Sequence, residues 1–393
     1  MIVIKQGRVF SPHPLGIKDI LIAGSTIIRI EDPGKITIKG TEVEEIDASR
    51  QIITPGLIDS HVHILGGGGE GGPKTRAPEI KIEDIISSGV STVIGCLGTD
   101  SVTRHMESLY AKAKGLENEG VTTYIFSGSY EVPTSNLTGS IKRDLVLIDK
   151  VIGAGEIAVS DHRSSQPSFS ELARLAAECR VGGMLGGKAG ILHCHLGDGQ
   201  RKLDMLFRLI EETEIPPSQI IPTHCNRNPD LLEEAIRFNK KGGFMDLTAD
   251  LDPEQKNGSL ISIRDTVQRC IDCRAHLDQI TVSSDGNGSL PVFNEQGELT
   301  GLTIADQKSL LNNLVFLIEN KILGMDNALK LFTLNPAVLY NLDKKGRLSP
   351  GCDADINIFD SQFNLIHSWC MGKKMIHNQK LAVHGTFSPE SNQ

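Results

Sequence analysis

Short runs of apolar residues, bounded by turn-forming residues, recur along the chain. The pattern within these runs changes twice, from alternating to continuously apolar and back. Residues 1–55 alternate between apolar and polar positions, as in IVIKQGRVF and DILIAGSTIIRIE, which is typical of antiparallel strands. From residue 346 the same style returns in GRLSPGCDADINIFD and LIHSWCMGKKMIH. We therefore predict a small β-sandwich domain, which both chain ends (residues 1–55 and 346–393) build around an inserted central domain.

Residues 56–345 contain eight nearly continuous apolar runs, which predict strands that are buried on both faces. These runs are LIDSHVHI, STVIGCLG, TTYIFSGSY, EIAVSD, GILHCHLGD, QIIPTHCN, GGFMDLTAD and QITVSSDGNG. Helical patterns separate most of them, for example SFSELARLAAECR and NPDLLEEAIRFNKKGG. This alternation predicts an α/β fold with a closed, TIM-like (β/α)8 barrel, whose active site lies at the C-terminal ends of its strands.

Composition narrows the function classes. The 40 basic and 49 acidic residues give a net charge of −9 without a polybasic run, which argues against nucleic acid or a membrane surface as partner and favours a small-molecule substrate. No apolar run reaches the roughly 18 residues of a membrane span, and the N-terminus lacks a signal-peptide pattern, so we expect a cytoplasmic protein. The eight cysteines lack framework spacing and are expected to be reduced thiols; Cys270 and Cys273 form one CxxC pair without a second.

Potential metal ligands occur on five of the eight predicted strands. His61 and His63 are two residues apart on one strand, so both imidazoles point to the same face. The further candidates are Glu156 at the start of strand four, His195 on strand five, His224 on strand six and Asp285 on strand eight. Each of these residues alone is more often structural, but together they predict a metal site. His193 shares a strand face with His195, which we favour because it lies nearer the strand end; the remaining histidines are expected to be structural.

Several longer motifs carry a family resemblance. They are PGLIDSHVHILGGGGEGGPKTRAPE, GCLGTDS, DHRSS, PTHCNRN, SSDGNGS and GRLSPGCDADI. With them the chain resembles the amidohydrolase superfamily and, over essentially its full length, the isoaspartyl dipeptidases, which are also called β-aspartyl peptidases. The resemblance implies hydrolysis of β-aspartyl dipeptides by a metal-bound hydroxide, with release of aspartate and an amino acid. It also implies a high-order homo-oligomer, an octamer.

The resemblance further implies roles for individual residues. Two zinc ions per subunit would be held by His61, His63 and Asp285 on one side and by His195 and His224 on the other. Asp285 would shuttle the proton, and Tyr130 would donate to the developing oxyanion. The implied substrate-binding residues are Gly68, Glu70, Thr99, Tyr130, Arg163, Arg227 and Ser289. Among them, Glu70 would meet the α-ammonium, the two arginines would clamp a carboxylate, and glycines 66–69 would let the backbone approach the ligand.

Strand four departs from the family pattern. Family members bridge their metals with a carbamylated lysine there, whereas this chain has Glu156. A glutamate offers the same two oxygens and the same charge on a shorter arm, so we predict that Glu156 bridges two zinc ions. The alternative is a single-metal enzyme in which Glu156 orients a histidine.

Two other functions stay open at this point. Another amidohydrolase activity on cyclic amides or N-acyl amino acids, like that of dihydroorotases or D-aminoacylases, would share the metal ligands, but an N-acyl amino acid has no free ammonium for Glu70. A non-catalytic scaffold would be expected to have lost ligands, whereas here every metal position except strand four is filled as the family pattern expects.

Overall fold

The computed structural model describes residues 1–253, 260–293 and 299–389. The strands before the barrel are β1 (Ile2–Phe10), β2 (Pro14–Ala23), β3 (Thr26–Glu31), β4 (Glu44–Asp47) and β5 (Ile52–Pro55). The barrel strands are β6 (Leu57–Val62), β7 (Val90–Gly95), β8 (Thr122–Ser127), β9 (Val151–Val159), β10 (Ile191–Leu196), β11 (Ile220–Thr223), β12 (Met245–Thr248) and β13 (Ile280–Ser283). After them come β14 (Ser289–Phe293), β15 (Leu299–Ile304), β16 (Ile356–Phe359), β17 (Leu365–Cys370), β18 (Lys373–His377) and β19 (Lys380–Leu381).

Helices follow the barrel strands in regular alternation. They are α1 (Ile82–Ile86), α2 (Met106–Glu119), α3 (Ile141–Leu147), α4 (Phe169–Gly186), α5 (Asp204–Glu212), α6 (Pro229–Lys240), α7 (Ile263–Asp272), α8 (Lys308–Glu319), α9 (Met325–Phe332) and α10 (Leu334–Leu339). Local chemistry sets their ends: Ser168 and Glu171 form a capping box at the start of α4, and Gly187 ends that helix in the left-handed conformation. Among the helices in the described part of the chain, none is long and apolar enough to cross a membrane.

The parallel strands curl into a barrel. β6 to β11 pair in sequence order, and β12 pairs with β13. The amide of Cys225 donates to the carbonyl of Asp246 at 3.1 Å, which links β11 to β12, and a parallel bridge joins Val62 to Gly286 just after β13. The predicted α/β barrel is therefore confirmed, and each of the eight predicted strands corresponds to one observed strand.

Strand four is longer than its pattern indicates. β9 begins at Val151, so Glu156 is its sixth residue rather than its first. Gly153 and Gly155 resemble turn residues in the sequence but lie within the strand, because β10 approaches closely there. A Cβ at Gly153 would lie 2.5 Å from the Ile191 carbonyl oxygen, and one at Gly155 would lie 2.7 Å from the His193 Cβ.

Strands from both chain ends form one β-rich part. Nine strands make a continuous sheet in the order β19-β18-β17-β16-β5-β1-β2-β3, with β4 beside β1. The ends of the chain meet where β5 pairs with β16, with Ile53 opposite Ile358. This part packs around an apolar core of its own, which includes the fully buried Trp369. The exact domain division at residues 55 and 345 stays a prediction.

Candidate active site

The six predicted metal ligands meet at the C-terminal mouth of the barrel. His61 lies in β6, Glu156 in β9 and His195 in β10. The others follow strand ends: His63 comes directly after β6, His224 directly after β11 and Asp285 two residues after β13. All six are buried. His224 and Asp285 adopt positive φ values of 61° and 51°, which are uncommon for residues other than glycine and indicate that the surrounding structure imposes these side-chain directions.

The Glu156 carboxylate lies at the centre of this cluster. Its Oε2 atom is 3.3 Å from His61 Nε2 and 3.7 Å from His63 Nε2. Its Oε1 atom is 2.5 Å from His195 Nδ1 and 3.3 Å from His224 Nε2. The two oxygens of one carboxylate therefore face two separate pairs of histidines.

Asp285 joins the first of these pairs. Its Oδ1 atom lies 3.1 Å from His63 Nε2 and 3.7 Å from His61 Nε2. Although these atoms approach closely, His61 Nε2, Glu156 Oε2 and Asp285 Oδ1 are buried and make no hydrogen bond within the described part of the chain. Buried polar atoms without partners are costly, and nitrogen and carboxylate oxygen are ligands of divalent transition metals. The residues thus fit a metal centre, and a metal cofactor accounts for the three unpartnered atoms.

Electrostatics within the cluster favour ionised carboxylates. Burial alone would raise the pKa of Glu156, but the charges of His61 and His195 outweigh burial and hold that pKa well below its usual value. Burial is likewise outweighed at Asp285, where His63 lowers the pKa. Burial would lower the pKa of His61, but the Glu156 carboxylate raises it well above the usual value. Two buried anionic carboxylates thus require positive charge between them.

Each histidine also contacts a further residue through its other ring nitrogen. These pairs are His61 Nδ1 with Thr223 Oγ1 at 3.3 Å, His63 Nδ1 with Cys96 Sγ at 3.7 Å, His195 Nε2 with Asp161 Oδ2 at 3.0 Å, and His224 Nδ1 with Thr248 Oγ1 at 2.7 Å. Such contacts orient metal-binding imidazoles. They leave Nε2 of three histidines, and Nδ1 of His195, facing Glu156.

Three predicted substrate residues meet beside the metal cluster. Thr99 donates to Glu70 Oε1 at 2.8 Å, and Arg163 Nη1 lies 3.3 Å from the same oxygen. The bidentate partner of Arg163 is Asp161, which accepts from Nε at 3.0 Å and from Nη2 at 2.8 Å. Asp161 was not predicted as a site residue, although the DHR motif contains it. It joins Arg163 to the predicted metal ligand His195.

The other predicted substrate residues line the same mouth. The Tyr130 hydroxyl lies 2.9 Å from His195 Nδ1. Tyr130 follows β8 by three residues, whereas it is the last residue of the predicted strand TTYIFSGSY. Gly68 and Ser289 are adjacent, because a Cβ on Gly68 would lie 2.9 Å from the Ser289 Cβ. The Arg227 guanidinium lies 4.0 Å from Asp198, and its buried Nε makes no hydrogen bond among the described residues.

The glycine-rich loop packs against its own chain. A Cβ on Gly66, whose φ is +81°, would lie 2.5 Å from the Pro78 carbonyl oxygen. The buried Arg104 guanidinium donates to four loop carbonyls, those of Leu65, Gly67, Gly68 and Ala77, at 3.0 to 3.1 Å. Gly66, like Gly68, where a Cβ would lie 2.5 Å from the Thr75 carbonyl oxygen, is therefore needed for close contact within the loop, a reason other than the predicted approach to a ligand. Arg104 was missed because nothing in its local sequence indicates burial.

Comparisons with known proteins agree with this architecture. The amidohydrolase family model matches residues 223–378. Dihydroorotase of Streptococcus pyogenes serotype M3 (strain ATCC BAA-595 / MGAS315) is 24% identical, with 93% of this chain and 92% of that protein covered. With the barrel and the histidine and carboxylate cluster at its mouth, these matches indicate the amidohydrolase class of hydrolases.

Solved structures give the closer relationship. A β-aspartyl dipeptidase from the thermophilic keratin-degrading Fervidobacterium islandicum AW-1, in complex with β-Asp-Leu dipeptide, is 45% identical with a TM-score of 0.90, over 98% of this chain and 100% of that one. A second structure of the dipeptidase from that organism gives 42% identity and a TM-score of 0.89, with the same coverage. The chain belongs to the β-aspartyl dipeptidase family of the amidohydrolase superfamily, so the predicted resemblance is confirmed.

Proposed function

We propose that this hydrolase cleaves β-aspartyl dipeptides to aspartate and an amino acid, and that it uses two zinc ions per chain. The observation that carries the proposal is the position of Glu156, whose two oxygens face separate histidine pairs while the Glu70, Thr99 and Arg163 cluster lies alongside. The 45% identity to a β-aspartyl dipeptidase over the full chain supports the same substrate class.

The donor set supports two ions bridged by Glu156. His61, His63 and Asp285 would hold one ion, and His195 and His224 the other. In a single-metal centre, Glu156 would be expected to orient one histidine through its far ring nitrogen. Instead its two oxygens face one ring nitrogen of each of the four histidines, which supports a place between two ions. Zinc ions held by these residues would lower the pKa of a bound water and polarise the substrate carbonyl.

Two side chains move or hold protons in the proposed reaction. Despite burial, His63 holds the pKa of Asp285 below its usual value, so this carboxylate is ionised and would accept the proton of the attacking water and pass it to the leaving amine. Burial, together with the negative charge of Glu156, raises the pKa of Tyr130 well above its ordinary value. Tyr130 therefore keeps its proton at neutral pH and donates a hydrogen bond to the oxygen that becomes negative in the transition state.

Specificity follows from the charges around the aspartyl zwitterion. In a β-aspartyl peptide, one residue carries a free α-ammonium and a free α-carboxylate, and the scissile amide extends from its side chain. Glu70 would bind the ammonium, while Arg227 and the Nη1 edge of Arg163 would bind the carboxylate. An α-linked peptide would leave one of these charged groups unpaired, at a cost of about 1–3 kcal/mol or more.

A cyclic amide is the second candidate substrate, because dihydroorotases cover 93% of the chain at 24% identity. Dihydroorotate carries a carboxylate for the arginines, but it has no ammonium for Glu70. It therefore uses only part of the proposed pocket.

The test compares hydrolysis of β-Asp-Leu, α-Asp-Leu and dihydroorotate by zinc-loaded protein. We expect kcat/KM for β-Asp-Leu to exceed that for α-Asp-Leu by about 100-fold or more. Glu70→Gln should lose most of this preference, whereas Glu79→Gln, at a site that pairs with Lys112 instead, should keep it. Equal cleavage of both peptides, or cleavage of dihydroorotate alone, would exclude the proposed specificity. Octameric assembly and a cytoplasmic location stay predictions.

A further inference from the structure

A buried carboxylate below the metal cluster has no role in the mechanism described so far. Asp246 lies in β12 and is fully buried. Among the described residues, the groups that act on its charge are the hydroxyls of Ser283, Thr281 and Thr223 and the His61 ring, with no lysine or arginine. It accepts three hydroxyl hydrogen bonds instead: from Thr223 at 2.7 Å, from Thr281 at 2.5 Å and from Ser283 at 2.6 Å. An ionisable group placed without a cation in a barrel core calls for a physical reason.

One of these hydroxyls connects Asp246 to a predicted metal ligand. Thr223 donates its only proton to Asp246 Oδ2, so its oxygen is left to accept a hydrogen bond. His61 Nδ1 lies 3.3 Å from that oxygen. The direction of these two hydrogen bonds is thereby set: His61 Nδ1–H donates to Thr223, and Thr223 donates to Asp246. His193 Nε2 also lies 3.3 Å from His61 Nδ1, and the tautomer of His193 sets whether it accepts or donates in that contact.

We propose that Asp246 and Thr223 are positioning residues for His61. They hold the proton of this imidazole on Nδ1, so that the Nε2 lone pair faces Glu156 and Asp285, and they increase the basicity of His61 as a metal ligand. A histidine whose far nitrogen donates to a carboxylate, or to a group polarised by one, is a stronger and better oriented ligand. The inference rests on the metal centre of the proposed function, but it does not depend on the identity of the substrate.

The barrel provides a matched control. Thr281 also donates to Asp246, but to Oδ1, so its hydroxyl contacts this carboxylate and not the His61 ring. Thr223→Val and Thr281→Val each remove one hydroxyl from the same carboxylate in exchange for a methyl group. Their effects on the stability of the metal-free protein should therefore be similar, whereas only Thr223→Val breaks the connection to His61.

The experiment measures zinc affinity by competition with a chromophoric chelator, and chemical unfolding of the metal-free proteins in parallel. We expect Thr223→Val to weaken the binding of one zinc ion by about 10- to 100-fold, Thr281→Val to leave both affinities within about threefold, and Thr223→Ser to restore binding. Equal affinities in the two valine variants would overturn the inference while leaving the proposed function intact. Failure of the unmodified protein to bind zinc would overturn both.

Discussion

The glycine-rich loop offers the sharpest test of how the fold supports the site. Gly66 and Gly72 lie in the same loop and both have positive φ, +81° and +94°. A Cβ at Gly66 would lie 2.5 Å from the Pro78 carbonyl oxygen and still closer to that of Ala77, whereas at Gly72 it would meet nothing within 4 Å. Alanine at either position should cost about 1–3 kcal/mol of backbone strain, but only Gly66→Ala adds a collision with backbone.

The size of the disturbance follows from that distance. Ordinary contact begins at 3.4 Å, so relieving a 2.5 Å approach requires a movement of at least about 0.9 Å (3.4 − 2.5). The loop continues from Gly66 to Gly68 and Glu70. The Gly66 amide also donates a hydrogen bond to the carbonyl of His63 at 2.7 Å, so a movement of Gly66 affects both sides of the site. A displacement of about 1 Å at a catalytic site can reduce the rate by about 100-fold.

We therefore expect Gly66→Ala to lower kcat/KM for β-Asp-Leu by about 100-fold. Gly72→Ala should stay within about fivefold of the unmodified protein, because the strain without a collision leaves the site in place. Steady-state kinetics of the zinc-loaded variants measure this difference, and urea unfolding verifies that both are folded. Equal kcat/KM values in the two folded variants would refute the link between loop packing and catalysis.

Two further changes test other parts of the molecule. Glu156→Gln keeps the side-chain volume but removes the charge that faces four histidines, so elemental analysis should find at most one zinc ion per chain. The control Asp144→Asn changes a buried carboxylate that accepts a hydrogen bond from Ser127, and this variant should retain two ions. Two ions in Glu156→Gln would exclude a bridging role. Lys345→Met should lower the free energy of unfolding by about 3–5 kcal/mol, because it leaves Asp355, 2.7 Å from the Lys345 Nζ, buried without its cation. Burial lowers the pKa of Lys345, but Asp355 and Asp353 together outweigh burial and raise it from 10.5 to about 12. Because the pKa of Lys345 is higher in the folded state than in the unfolded state, the stabilisation that its charge provides is complete below pH 10.5. That stabilisation is lost as the pH rises through about 12. Urea unfolding between pH 8 and pH 12 should therefore show an alkaline loss of stability that Lys345→Met lacks, and an unchanged profile in the variant would contradict this assignment.

Residues at strand ends were predictable from the chain because topology alone brings them together. His61, His195, His224 and Asp285 follow apolar runs, and the ends of parallel strands in a barrel meet at one mouth. Glu156 was assigned to the right strand but at the wrong place in it, because glycines that allow close strand packing look the same in a sequence as glycines that form turns.

Residues that act through distant partners were not predictable in this way. Asp246 contacts hydroxyls from β11 and β13, and Arg104 contacts carbonyls that lie 27 to 39 residues away in the chain. Neither has a local pattern that distinguishes it from a surface residue, since its role depends on what the fold places around it. Asp161 is intermediate: the DHR motif marks its neighbourhood, but only the structure identifies its bonds to His195 and Arg163.

The glutamate in β9 also changes how the centre would be assembled. A lysine carbamate forms by reversible addition of carbon dioxide to an amine, so its abundance depends on dissolved carbonate and on capture by the metals. The carboxylate of Glu156 is made when the chain is translated. In the proposed centre, the bridging ligand is therefore in place before any ion arrives, and loading depends on the supply of metal alone.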